Sequence, residues 1–183
     1  APLAAILRHA VVVPEQNRDI RILPGIAQRD RAAPDVMRGE ETLIVGSGVE
    51  DGMVILPGTH SKWARVERGR IAGFRTFMTG EFFALLTTHS ILRLLAEPAK
   101  DNAGFARGLD AARRPGGLTH LAFGARTEVL TGGMKGGDVA PFLSGLLIGT
   151  EMQAALADAR GPLTLIADGP MAENYSTALA FDG

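Results

Sequence analysis

The stretch that most restricts the fold is residues 52–77, "GMVILPGTHSKWARVERGRIAGFRTF". Apolar runs alternate there with turn residues, twice in succession. The pattern predicts a buried strand over 52–57, closed by Pro57. A hairpin over 62–77 follows, turning at Arg68-Gly69 with Trp63, Val66, Ile71 and Phe74 as its apolar content. Strands joined by turns this short form an antiparallel meander. Around it, "DIRILPGI" (19–26) reads as a short strand ending at Pro24-Gly25. "PDVMRGEETLIVGSG" (34–48) reads as a helix entered at Pro34-Asp35 and stopped at Gly46.

Downstream the period changes to helical. A helix over 79–98 is expected, capped by Thr79, with Glu81 complementing its dipole. Phe82, Leu85, Leu86, His89 and Leu92 form its apolar stripe, with His89 as a core histidine. A shorter helix covers 105–115, and residues 126–137, with "TGGMKGGD", read as a flexible connector. Asp138 can cap a long helix over 139–159, with Pro141 tolerated in its first turn. Ser144, Gly145 and Gly149 leave one side of that helix small enough for close approach. A strand over 162–169 and a helix over 170–180 finish the order. Strand–helix, three strands, helices, strand–helix describes an α/β unit.

Composition excludes several classes. The 183 residues carry a formal net charge of −1, so no global field draws in nucleic acid or an anionic membrane. Cysteine is absent, which rules out a disulfide scaffold and thiolate chemistry and fits a reducing, cytoplasmic setting. The apolar start "APLAAILRHAVVV" is interrupted by Arg8 and His9 and is too short to span a bilayer. The chain begins at Ala1 and stops at "ALAFDG" inside a helical pattern, so the expectation is a fragment of a longer protein.

Three constellations could carry chemistry. In "LPGTHSKW" (56–63), Gly58 lets a ligand approach, and the N–H groups of Thr59, His60 and Ser61 converge. Lys62 adds a mobile positive charge with no acidic residue nearby. That is the make-up of a phosphate cradle, although a plain hairpin with Trp63 in the core explains the same residues equally well. In "MRGEE" (37–41), Arg38 and Glu41 share a helix face around Gly39. They form either a polar patch for a carboxylate or hydroxylated substrate, or a solvated ion pair, the commoner case. In "IADGPMAENY" (166–175), a strand ends at Asp168-Gly169 and a helix begins at Pro170. This is the kind of edge where nucleotides bind, and equally an ordinary turn. No metal-ligand spacing is evident.

"DVMRGEET" (35–42), "LPGTHSKW" (56–63), "FRTFMTGE" (74–81) and "FLSGLLIGTE" (142–151), in this order and spacing, resemble the 2-dehydro-3-deoxygalactonokinase family. The resemblance runs from about Leu23 to Tyr175. It implies the sugar kinase and actin-like ATPase superfamily, with two ribonuclease-H-like lobes and ATP and substrate between them. Residues 1–46 would be a remnant of the N-terminal lobe with the interlobe helix, and 47–183 an incomplete C-terminal lobe. Gly58, Thr59, His60, Ser61 and Lys62 would face the ATP phosphates. Thr79 and Gly80 would offer donors to an anion, and Gly169 and Pro170 would lie beside the adenosine. Lys62, Glu41 and Arg38 would be the catalytic groups. ATP and Mg²⁺ are the implied cofactors, and a small sugar acid is the implied partner. The family's first phosphate motif, Asp-x-Gly-x-Thr-x-x-Arg, has no counterpart here. A phosphate-chain hydrolase and a non-enzymatic sugar-acid sensor of the same fold are the alternatives.

Overall fold

In the computed structural model, which describes residues 1–15 and 17–182, helices and strands follow one another as α1 (Leu3–Arg8), β1 (Val11–Val13), β2 (Ile20–Ile22), β3 (Ile26–Gln28), β4 (Asp35–Met37), α2 (Glu40–Ser47), β5 (Gly52–Leu56), β6 (Ser61–Val66) and β7 (Ile71–Phe77). The rest is largely helical: α3 (Thr79–Thr88), α4 (Ala103–Ala112), α5 (Gly117–Leu130) and α6 (Val139–Leu156), then β8 (Leu163–Leu165) and α7 (Gly169–Asp182). The chain folds as two compact units. The first comprises Ala1–Leu56, Ser61–Thr76 and Ala159–Ala167; the second comprises Pro57–His60, Phe77–Asp158 and the chain from Asp168 onward.

The first unit is built on a mixed sheet of order β7-β6-β5-β8. β5 runs antiparallel to β6, from Gly52↔Val66 to Leu56↔Lys62, and parallel to β8, with Val54 opposite Thr164. The meander follows the predicted turns. Arg68 and Gly69 both adopt positive φ, and Glu67 and Arg70 exchange backbone hydrogen bonds at 2.9 and 3.0 Å across the hairpin. Val54, Leu56, Ala64, Val66, Ile71 and Phe74 of the sheet bury themselves with Ile44 of α2 and Ile6 of α1. The small β3–β4 ribbon is tied to β7 by polar side chains. Gln28 Oε1 accepts from the Phe74 amide at 3.1 Å, and Asp35 accepts from the amide and hydroxyl of Thr76 at 2.7 and 2.6 Å.

The helix expected over 34–48 is corrected. Its first part is strand β4, which pairs with β3, and Gly39 then sits at φ 116°, a conformation open to glycine and closed to most side chains. That break separates Arg38 from Glu41, so they share no helical face. The helix starts at Glu40 and ends on Gly48, left-handed at φ 68°, rather than at Gly46.

The second unit is helical. Gly108 of α4 and Gly145 of α6 let the two helices touch backbone to backbone. A Cβ on Gly145 would fall 2.1 Å from the Phe105 carbonyl oxygen, and one on Gly108 would fall 2.1 Å from that of Phe142. Of the small side read from the sequence, Gly145 and Gly149 face α4, and Ser144 lines a cavity described below. Phe142, Leu143 and Leu146 complete a core with Ala111, Ala112, Ala122, Ala125 and Met134. Residues 136–156 are long and apolar enough to cross a membrane, and most of that stretch is buried inside the protein.

Three expectations here are corrected. α3 stops at Thr88, because Ser90 restarts the chain as a short 3₁₀ turn over Ile91–Leu94, its hydroxyl accepting from the Leu92 amide at 3.0 Å. The proposed stripe does not form a buried face: Phe82, Leu85 and His89 are exposed, and only Leu92 is fully buried. Part of the supposed connector, 126–130, is the end of α5, a helix whose glycines and short apolar residues hid its period.

Candidate functional site

The second unit contains a cavity of about 320 Å³. Its walls are mainly apolar, from Phe83, Pro141, Leu147, Ile148 and Met171, with a few polar groups at chosen points. Thr79 and Gly80 stand at the start of α3, where the helix dipole favours negative charge. Asn102 and Asn174 lie on the wall as a pair, the Asn102 amide donating to Asn174 Oδ1 at 3.0 Å. Gly58, Pro170, Ser144 and Tyr175 complete the lining. Gly58, Thr79, Gly80 and Pro170 thus come together around one cavity, though they lie far apart in sequence.

Close packing positions this wall. A Cβ on Gly80 would meet the Gly58 carbonyl oxygen at 2.5 Å, so only glycine allows α3 to start against the 57–60 turn. The Glu81 amide donates to the Thr59 carbonyl at 3.0 Å and locks that approach. His60 Nε2 is hydrogen-bonded to Glu81 Oε2 at 2.5 Å. The turn therefore does have an acidic neighbour, contrary to expectation, because the 57–60 turn folds against the start of α3, some 20 residues on. Gly169, at φ 51°, precedes Pro170, whose missing N–H costs nothing in the first turn of α7.

Sequence reasoning overlooked Glu151. It is the sole charged side chain of α6, and it is 2% exposed. Its Oε2 accepts from the Thr79 hydroxyl and from the Tyr175 hydroxyl, the latter at 2.9 Å. One acid in an otherwise apolar helix was the available signal. The Thr79 hydroxyl, read as a donor toward an anion, is instead turned to this carboxylate.

The remaining predicted residues belong to the first unit. Ser61 and Lys62 open β6, and both are buried. Lys62 is 4% exposed and its Nζ lies 3.0 Å from Glu40 Oε1. It is held in place, not mobile, and it too has an acidic partner, because the fold brings the start of α2 to β6. Glu40 also accepts from the Arg38 amide at 3.0 Å, and buried Glu41 accepts from the Gly39 amide at 2.7 Å. These bonds serve the start of α2, while the Arg38 side chain is exposed. Burial alone pushes the Glu40 carboxyl up. Hydrogen bonds from backbone amides and the Lys62 ammonium outweigh it and hold the group below the ordinary value.

Comparison with known proteins agrees along the whole chain. Residues 1–183 match the profile of the 2-keto-3-deoxy-galactonokinase family. A Rhizobium meliloti (strain 1021) protein assigned as 2-dehydro-3-deoxygalactonokinase is 44% identical, aligning with 100% of this chain and 63% of its own length. The Escherichia coli (strain K12) 2-dehydro-3-deoxygalactonokinase is 33% identical, over 87% of this chain and 56% of its own. A crystal structure from Sinorhizobium meliloti, with the same assignment, superposes with a TM-score of 0.89 at 41% identity, covering 100% of this chain and 64% of that one. The chain thus spans less than two thirds of the length of these relatives. It belongs to the 2-keto-3-deoxy-galactonokinase family.

Proposed function

We propose that this chain is part of an ATP-dependent sugar-acid kinase that transfers the γ-phosphoryl group of ATP to the 6-hydroxyl of 2-dehydro-3-deoxy-D-galactonate. The names of the relatives support the substrate. The cavity of the second unit is the observation that carries the nucleotide. Its volume of about 320 Å³ suits a nucleoside, and its apolar walls with two amide side chains suit a stacked base. The helix start at Thr79 and Gly80 suits a phosphate at the other end. Gly58, Thr59, His60 and Ser61 are proposed for the phosphates, and Gly169 and Pro170 for the adenosine. Lys62 is proposed to neutralise phosphoryl charge, and Arg38 and Glu41 to handle the sugar acid. Residues 47–183 are proposed as a ribonuclease-H-like lobe and 1–46 as the remnant of another. No group of three or more His, Asp or Glu among the described residues is arranged to hold a metal ion; magnesium in such sites is held mostly by the nucleotide's phosphates, water and one or two carboxylates.

What these residues contribute is positioning and charge, the two things phosphoryl transfer most needs from a protein. The test is a coupled assay on the intact protein with ATP, with and without the sugar acid. Phosphorylation of the acid is expected. Phosphate release at the same rate without it would favour a hydrolase, and binding of the acid without ATP consumption would favour a sensor.

A further inference from the structure

We infer that Glu151 is a positioning residue of the second unit's cavity, acting through Thr79 and Tyr175 to set the affinity for ATP. The inference rests on the reading of that cavity as the nucleotide site. Thr79 and Tyr175 both line the cavity, and both hydroxyls converge on the same oxygen, Glu151 Oε2, behind the wall. Thr79 starts α3, Tyr175 lies in the second turn of α7, and Glu151 lies in the second half of α6. One carboxylate therefore fastens together the three helices whose side chains shape the cavity. Its burial makes the arrangement exacting: at 2% exposure Glu151 has little water to replace a lost donor. Tyr175 is equally enclosed, at 1% exposure, so its ring can shift little if the bond to Glu151 is kept. A carboxylate accepts from two hydroxyls at once. Because both hydroxyls share Oε2, an amide in its place either keeps both bonds through a neutral oxygen, without the charge that strengthens them, or turns an N–H₂ donor toward both. Shortening the side chain, as in Asp, withdraws the oxygen from both.

The experiment uses the intact protein carrying Glu151→Gln, Thr79→Val, Tyr175→Phe and the double variant Glu151→Gln/Tyr175→Phe. KM for ATP, KM for the sugar acid, kcat and Tm are measured for each. Glu151→Gln is expected to raise KM for ATP about tenfold, from the loss of charge assistance to the two hydrogen bonds, and to leave KM for the sugar acid within about twofold. The double variant is expected to lose less than the product of the two single losses, since both changes act on the same contact. A lowered Tm with both KM values unchanged would reduce Glu151 to a structural role. Multiplying losses in the double variant would likewise end the argument. If Glu151→Gln does not fold, Thr79→Val and Tyr175→Phe decide the question by the same split in KM. A separate variant, Ala140→Trp, fills the cavity from the start of α6. Unchanged binding of a non-hydrolysable ATP analogue to folded Ala140→Trp would overturn the nucleotide reading of the cavity itself. Lost binding there, with kinetics of Glu151→Gln and both hydroxyl variants unchanged, would overturn only the role of Glu151.

Discussion

Lys62 shows what a single residue reveals and conceals. Its place after Gly58, Thr59 and His60 marked it as a candidate from the chain alone. Its partner was not legible, because Glu40 lies 22 positions earlier and meets it only when α2 folds against β6. If Lys62 neutralises phosphoryl charge, Lys62→Ala in the intact protein should lower kcat at least tenfold, about 1.4 kcal/mol of barrier. Unchanged turnover would remove it from the reaction. Glu40 carries a second prediction. Its folded pKa lies below the ordinary value, so its contribution to stability is complete above the unfolded pKa of about 4.3 and is lost as pH falls through the folded one. Glu40→Gln should therefore destabilise the chain at neutral pH, and the difference should shrink as the medium is acidified below about pH 4. Urea unfolding across that range measures it. A gap that stays constant with pH would mean that the carboxylate charge is not what stabilises.

At the scale of elements, the hairpin was the most legible part and the helix boundaries the least. Turn chemistry is local: Arg68-Gly69 needs two positive φ angles, and the residues on either side already alternate. Arg68 itself pays for this conformation. Arg68→Asn should raise stability by up to roughly 1 kcal/mol, since Asn tolerates the left-handed region better. Thermal melts of the purified chain would show it, and a lowered Tm would mean that the arginine side chain contributes more than the backbone strain costs. The small face of α6 was also legible, because three small residues at helical spacing leave a groove whatever fills it. Gly145→Ala should cost roughly 1–3 kcal/mol, as its Cβ would collide with backbone and not with a movable side chain. A change in urea midpoint near zero would show that α4 can slide away. Boundaries failed where a side chain or a glycine conformation overrode the period. Gly39 divided a strand from a helix, and Ser90 divided α3 from a 3₁₀ turn, in segments whose apolar spacing read as continuous.

For the whole molecule, the decisive fact is that the chain spans 63% and 56% of its two curated relatives. The purified 183-residue chain is expected to show no kinase turnover, because the first phosphate motif implied by the family has no counterpart in its sequence. Measurable turnover by this chain alone would refute the expectation. The sequence by itself determined the α/β class, the meander, the small side of α6 open to close approach and the family, since each depends on local turn chemistry, on residue size at a fixed period or on motifs in a fixed order. Only the tertiary structure decided which polar groups meet: Lys62 with Glu40, His60 with Glu81, and Glu151 with Thr79 and Tyr175. These pairs are 21 to 72 positions apart, and a hydrogen bond needs its two atoms within about 3 Å. Spacing along the chain carries no information at that resolution until the elements between have folded.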